Sequence, residues 1–147
     1  MKIAICGSIA FSHEMIDISK KLTEMGHTTN IPKYTQKIRD GEITLDHFMS
    51  IKEKEGDLNF RKEVEEDLIK RYYRLIKEAD AILVINHDKK GTPNYIGGNT
   101  LIELAFAHVF DKPIFLLNEI PKMHYSDEIV AMNPVVIHGN LEKIANP

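Results

Sequence analysis

The feature that most constrains the fold of this chain is an unbroken apolar run with polar ends. It reads Asp80-Ala81-Ile82-Leu83-Val84-Ile85-Asn86. Because successive residues of a strand point to opposite faces of the sheet, a run without alternation predicts a strand that is buried on both faces. Strands of this kind occur in parallel sheets that carry helices on each side. We therefore expect an α/β fold.

Strands and helices are predicted to alternate along the chain. The predicted strands are short apolar runs, and they lie near residues 3–6, 28–31, 80–86, 113–117 and 135–137. The predicted helices repeat their apolar residues at helical spacing, and they cover residues 15–25, 60–79, 99–110 and 126–132, with a last turn from 141. This alternation predicts a flavodoxin-like or Rossmann-like open parallel sheet of about five strands, in the order 2-1-3-4-5, with helices on both faces.

The composition indicates one globular domain. Of the 147 residues, 43% are hydrophobic and 28% are charged, and no Pro/Gly-rich tract or charge block divides the chain. We expect residues 1–147 to form a single domain.

Residues 33–59 are irregular and charged, although Ile43, Phe48 and Ile51 hint at a helix. A mobile lid is the other interpretation of this segment.

Charge and residue types exclude several classes of partner. The 19 Lys and Arg are interspersed with 22 Asp and Glu, for a net charge of −3, which argues against long nucleic acid but leaves a small anion possible at a helix N-terminus. The first apolar stretch is too short for a signal peptide or a membrane span, so we expect a cytoplasmic protein with no membrane partner. Cys6 is the only cysteine and is expected to be buried and inert.

No cofactor or metal is expected. The seven histidines show no pair at helical or finger-like spacing, so surface or structural roles are favoured. We keep His13 and His87 as possible ligand contacts, because both lie near the predicted crevice at the carboxyl ends of strands one and three.

The first candidate site is the turn after strand one, Gly7-Ser8-Ile9. Glycine allows a ligand to approach the backbone closely, Ser8 supplies a hydroxyl, and the N–H groups of the next helix would point into the crevice. Binding of a phosphate or ribose and a plain structural turn are both compatible with these residues.

The second candidate site is the loop after strand three together with the start of the next helix. The expected ligand contacts there are Asn86, Asp88, Tyr95, Gly97, Gly98, Asn99 and Thr100. Glu103 follows one turn into the helix and is the candidate for chemistry. Thr100 and Glu103 also fit a capping box, in which the glutamate only satisfies the amide of the cap residue. If Asn99 caps the helix instead, Glu103 is able to face a ligand.

Several of these motifs carry a resemblance to a known family. Gly7-Ser8-Ile9 after an apolar strand, Ala79-Asp80-Ala81 at strand three, and Asn99-Thr100-Leu101-Ile102-Glu103 ahead of Lys112-Pro113 resemble the nucleoside 2-deoxyribosyltransferase-like superfamily, which includes 2'-deoxynucleoside 5'-phosphate N-hydrolases. In that family a glutamate attacks or stabilises the anomeric carbon while the glycosidic bond breaks. The resemblance assigns this role to Glu103.

The chain also departs from the family's pattern. Asn99 and Ala105 stand where the family has glycines, and Gly97 stands where an aspartate or serine often contacts the ligand. A second carboxylate is expected near Tyr72, where this chain has none, and Asp67 lies more than a turn earlier. Tyr72, Tyr73 and Asp88 are possible substitutes, although core positions for the tyrosines and a solvent-exposed loop position for Asp88 are favoured.

Residues 97–103 are similar, with one residue missing, to the P-G-G-x-G-T-x-x-E stretch of the lysine-decarboxylase-like phosphoribohydrolases, which also split a base from a ribose phosphate. Both resemblances imply an N-glycosidic bond hydrolase or transferase that acts on a nucleoside or nucleoside 5'-monophosphate. The alternative is a non-catalytic module that kept the nucleotide crevice. The resemblance further implies a homodimer.

Overall fold

The computed structural model describes residues 1–54 and 58–144, with side chains described for 1–53 and 68–144. Five parallel strands form one sheet in the order β2-β1-β3-β4-β5. The strands are β1 (Lys2–Gly7), β2 (Thr28–Asn30), β3 (Ala81–Ile85), β4 (Ile114–Leu116) and β5 (Val135–Val136). The predicted strand order is confirmed.

Helices connect the strands and cover the sheet. They are α1 (Ser12–Glu24), α2 (Lys33–Arg39), α3 (Leu45–Lys54), α4 (Leu58–Glu78), α5 (Gly98–Val109) and α6 (Ser126–Ala131), with 3-10 turns at Ile9–Phe11 and Leu141–Ile144. No helix in the described ranges has both the length and the apolar character that crossing a bilayer requires.

The sheet is buried on both faces, as the apolar run of β3 predicts. One face of β1 and β3 presents Ile3, Ile5 and Leu83 to a core that includes Met15 and Leu22 of α1. The other face presents residues such as Cys6 and Val84 to a second core, which α4, α5 and α6 complete. Burial of these side chains on two sides stabilises the central strands by roughly 1.5–3 kcal/mol for each large residue.

The described part of the segment 33–59, which leaves out residues 55–57, is more regular than its sequence indicated. It contains α2 and α3, and α3 includes the Phe48 and Ile51 positions that hinted at a helix. A buried hydrogen bond of 2.9 Å joins the hydroxyls of Ser12 and Thr35, and it fixes α2 beside α1. With this hydrogen bond, α2 lies near the carboxyl end of β1.

Candidate functional site

A cavity of about 320 Å³ lies at the carboxyl ends of β1 and β3. Both predicted turns contribute to it, and the predicted residues in its lining are Gly7, Ser8, Ile9, Tyr95, Gly97, Gly98, Asn99, Thr100 and Glu103. The two turns therefore meet at one hollow. The functional role of these residues remains a prediction.

The turn after β1 is shaped by Gly7. Its φ of +150° is a conformation that side chains rarely adopt, and a Cβ here would lie 2.7 Å from the carbonyl oxygen of Ile85. Ser8 then caps the 3-10 turn, because its hydroxyl accepts from the amide of Ala10 at 3.4 Å. The same hydroxyl accepts from the Lys89 ammonium at 2.7 Å. Ser8 thus links the first turn to the second.

The observed start of α5 differs from both predictions for its cap residue, Thr100 and Asn99. Gly97 is the N-cap, with an extended backbone at φ −82° and ψ 175°, and the first helical hydrogen bond runs from the Leu101 amide to the Gly97 carbonyl at 2.9 Å. Thr100 is 3% exposed and lies inside the first turn. The capping box needs Thr100 as the cap residue, so that interpretation is wrong, and Asn99 is not the cap either.

The carboxylate of Glu103 lies against the carboxyl end of β1. It raises the pKa of the Cys6 thiol by its charge and by a hydrogen bond, although burial of Cys6 is the larger cause. It also contributes to the raised pKa of Tyr72, after burial and the charge of Cys6. Cys6 is fully buried, and its thiol stays protonated near neutral pH.

Tyr72 and Tyr73 occupy different environments. Tyr72 is 1% exposed, lines the cavity, and donates its hydroxyl hydrogen to the Ile5 carbonyl at 2.8 Å. Tyr73 is 41% exposed and contacts the rings of Phe106 and Phe110. A core position is correct for Tyr72 and wrong for Tyr73, because the helix turns by about 100° between neighbouring residues.

Asn86 and Asp88 do not line the cavity, unlike the other expected contacts. The Asn86 amide is fully buried and bridges β3 to the chain beyond β4 through hydrogen bonds with Asn118 and the carbonyl of Glu119. Asp88 is exposed and accepts from the Asn94 amide at 3.0 Å. Asn86 satisfies backbone groups of the β4–α6 connection and Asp88 an amide of its own loop, so both side chains hold connecting segments in place.

The two histidines that were possible ligand contacts, His13 and His87, also lie outside the cavity lining. His87 packs edge-on against Phe11 at 5.6 Å between ring centroids, and His13 is exposed on α1.

Sequence reasoning missed seven lining residues. They come from α2, α3, α4 and two connecting segments, and they are Pro32, Tyr34, Phe48, Ile51, Lys52, Leu68 and Lys89. Tyr34 and Phe48 touch each other, with 4.6 Å between ring centroids, and supply an apolar wall. For the lining residues in this segment, the helical spacing of Phe48 and Ile51 was the only signal in the sequence, since residues 33–59 match no motif.

Lys89 is held by a small hairpin in the β3–α5 connection. The backbone of Lys89 exchanges two hydrogen bonds with Thr92, at 3.0 and 2.9 Å, around Lys90 and Gly91, which both have positive φ. Two adjacent positive φ values are typical of a tight hairpin turn. The loop after β3 therefore presents Lys89 from a hydrogen-bonded backbone.

No described residue of the cavity lining matches the second carboxylate that the resemblance predicts near Tyr72. Among the side chains that the structure describes there, Glu103 is the one acid. The side chain of Asp67 lies outside the described residues.

Fold and cavity together define a parallel α/β protein with a ligand-sized crevice at the carboxyl ends of its central strands. No model of a known protein family matches the chain, and no curated protein matches it. A similar solved structure is a 2-deoxyribosyltransferase from the psychrotolerant bacterium Bacillus psychrosaccharolyticus. It is 22% identical, with a TM-score of 0.44, over 79% of this chain and 71% of that chain. At this level of similarity the function has to be argued from the cavity itself.

Proposed function

We propose that this protein breaks, or transfers, the N-glycosidic bond of a nucleoside or nucleoside 5'-monophosphate. The observation that carries the proposal is that Glu103 lines the same cavity as the Gly7 turn and the glycine-containing start of α5. A sugar in this cavity would have a carboxylate within it and close backbone contacts on two sides. The residues 97–103 motif supports the same reaction by resemblance.

Glu103 would act on the anomeric carbon. As the bond from C1' to the base nitrogen breaks, its electron pair leaves with the base, which takes up a proton, and positive charge develops on the sugar. The carboxylate either forms a bond to C1' or stabilises this charge. In hydrolysis water then supplies a hydroxyl to C1', any bond between C1' and Glu103 breaks, and the proton that water releases balances the one taken up by the base. In transfer a second base takes the place of water and loses its own N–H proton.

The other lining residues suit the remaining parts of the substrate. The rings of Tyr34 and Phe48 and the side chain of Ile51 offer an apolar wall for a planar base. The cavity volume of about 320 Å³ corresponds to one small molecule, at the lower end of the usual range for ligand sites.

The test is base release by the Glu103→Gln variant. Glutamine keeps the size of the side chain but lacks the negative charge, so turnover should fall by about 10³-fold or more while ligand binding persists. Free base is measured by chromatography over a panel of ribo- and deoxyribonucleosides and their 5'-monophosphates. Glu42→Gln, at an exposed acid of the α2–α3 connection, makes the same chemical change and should retain full turnover. Full turnover in Glu103→Gln would reject the assignment.

A non-catalytic nucleotide-binding module is the second candidate. It is favoured by the single acid in the described part of the lining, because glycosidic cleavage commonly employs two carboxylates. Under this alternative a nucleotide raises the thermal midpoint of the protein, and long incubation releases no base. Detection of free base would exclude it.

A further inference from the structure

Two lysines line the cavity together. Lys89 reaches in from the β3–α5 hairpin, donates to the Ser8 hydroxyl at 2.7 Å, and lies 4.9 Å from the ring centroid of Tyr95. Lys52 extends from α3. The cavity is therefore cationic on the side where α3 meets the two turns.

Within the described residues, neither Lys89 nor Lys52 forms an ion pair with a carboxylate. The pKa of Lys89 is lowered, first by burial and then by the charges of Lys52 and Lys90. Holding like charges together in a partly buried place costs free energy, and a bound anion would offset that cost.

The start of α5 adds uncharged donors to the same cavity. Gly97, Gly98 and Asn99 line it, and the first N–H groups of this 12-residue helix have no acceptor inside the helix. The N-terminal end of a helix also carries a partial positive charge, which favours an anion. A Cβ built at Gly98 would meet no atom within 4 Å, so an anion is able to approach the backbone closely there, whereas a Cβ at Gly97 would lie 3.2 Å from the Tyr95 ring, which covers that residue.

We propose that Lys89, Lys52, Ser8 and the first turn of α5 form a subsite for a phosphate monoester, and that the substrate is a nucleoside 5'-monophosphate rather than a free nucleoside. Two ammonium groups, a hydroxyl and backbone N–H groups match the three terminal oxygens and the double charge of a phosphate monoester. This inference rests on the proposed function for its sugar and base, and it adds the phosphate and the residues that select it.

The test compares the affinities of nucleosides and of their 5'-monophosphates for the full chain by titration calorimetry. For the wild-type protein, the preferred monophosphate should bind at least about 10-fold more tightly than the matching nucleoside, because hydrogen bonds to a charged group are strong. Lys89→Gln and Lys52→Gln should each remove most of this preference and bring the ratio of the two affinities toward 1. Lys20→Gln removes the same charge from an exposed position on α1 and should keep the full preference.

Equal affinity for nucleoside and monophosphate in the wild-type protein would overturn the inference, as would an unchanged preference in both cavity variants. Inorganic phosphate is titrated alone, and an affinity equal to that of the monophosphate would reject a nucleotide as the ligand. Circular dichroism checks that each variant is folded. Binding is measured separately from base release. A protein that prefers the monophosphate but releases no base would therefore contradict the proposed activity and still support the phosphate subsite.

Discussion

At the scale of single residues, Gly7 shows how closely the site is built onto the sheet. Its φ of +150° excludes most side chains, and a Cβ would lie 2.7 Å from the Ile85 carbonyl oxygen and 2.9 Å from the Met15 Cε atom. The chain is therefore able to leave β1 in this conformation, packed against Ile85 and Met15, because this position has no side chain.

Gly7→Ala should lower the free energy of unfolding by about 2–4 kcal/mol, since backbone strain and overpacking act together. Urea denaturation measures the change. Gly26→Ala is a matched control, because Gly26 also has a positive φ, of +89°, but a Cβ added there would meet no atom within 4 Å. It should cost roughly 1 kcal/mol from strain alone. Equal losses at the two sites would contradict a packing role for Gly7.

At the scale of elements, the contact between α4 and β1 forms part of the cavity wall. Tyr72 of α4 donates its hydroxyl hydrogen to the Ile5 carbonyl of β1 at 2.8 Å, and burial is the main cause of its raised pKa. A hydroxyl in this state holds its proton and joins two elements. It is therefore a poor candidate for the acid that protonates the leaving base.

Tyr72→Phe should lower the free energy of unfolding by about 1–3 kcal/mol, because the buried Ile5 carbonyl loses its donor. Tyr73→Phe removes the same hydroxyl from the neighbouring, 41% exposed position and should change stability by less than about 0.5 kcal/mol. Chemical denaturation of both variants measures the difference. A loss of stability at Tyr73 as large as that at Tyr72 would be inconsistent with the structural role of the Tyr72 hydroxyl.

The presence of a helix or strand was easier to predict than the exact residue at which it begins. The α5 segment was recognised from its apolar residues, yet the structure begins it at Gly98 and not after a cap at Asn99 or Thr100. Local patterns locate a helix because its period repeats, whereas its first residue depends on how the preceding loop approaches. This difference of one or two residues decided the question of the capping box at Glu103.

At the scale of the whole molecule, the exposed apolar residues of α4 and α5 are the candidate for an interface. The two helices pack against each other, and Tyr73, Ile102 and Val109 are exposed on them, Val109 at 74%. The homodimer implied by the sequence resemblance would cover such a face. It remains a prediction.

We expect the chain to have the mass of two copies by light scattering coupled to size exclusion. Val109→Lys should shift the protein toward the monomer, because a charge would be buried at the interface. Met25→Lys, at the 41% exposed C-cap residue of α1 on the opposite side of the sheet, introduces the same charge away from this face and should leave the dimer intact. A wild-type protein that elutes with the mass of one chain would exclude the dimer.

The sequence by itself determined the parallel sheet, its strand order and the meeting of the two turns. Hydrophobic periodicity and the handedness of strand crossovers are general rules that act along the chain, so they place the carboxyl ends of β1 and β3 side by side. Only the tertiary structure decided which side chains share the cavity. Lys52, Lys89 and Tyr34 were not predicted and are brought to it from three separate segments, while Asn86 is drawn away by its hydrogen bonds to the chain beyond β4. Such contacts depend on how whole elements pack, which no local pattern records.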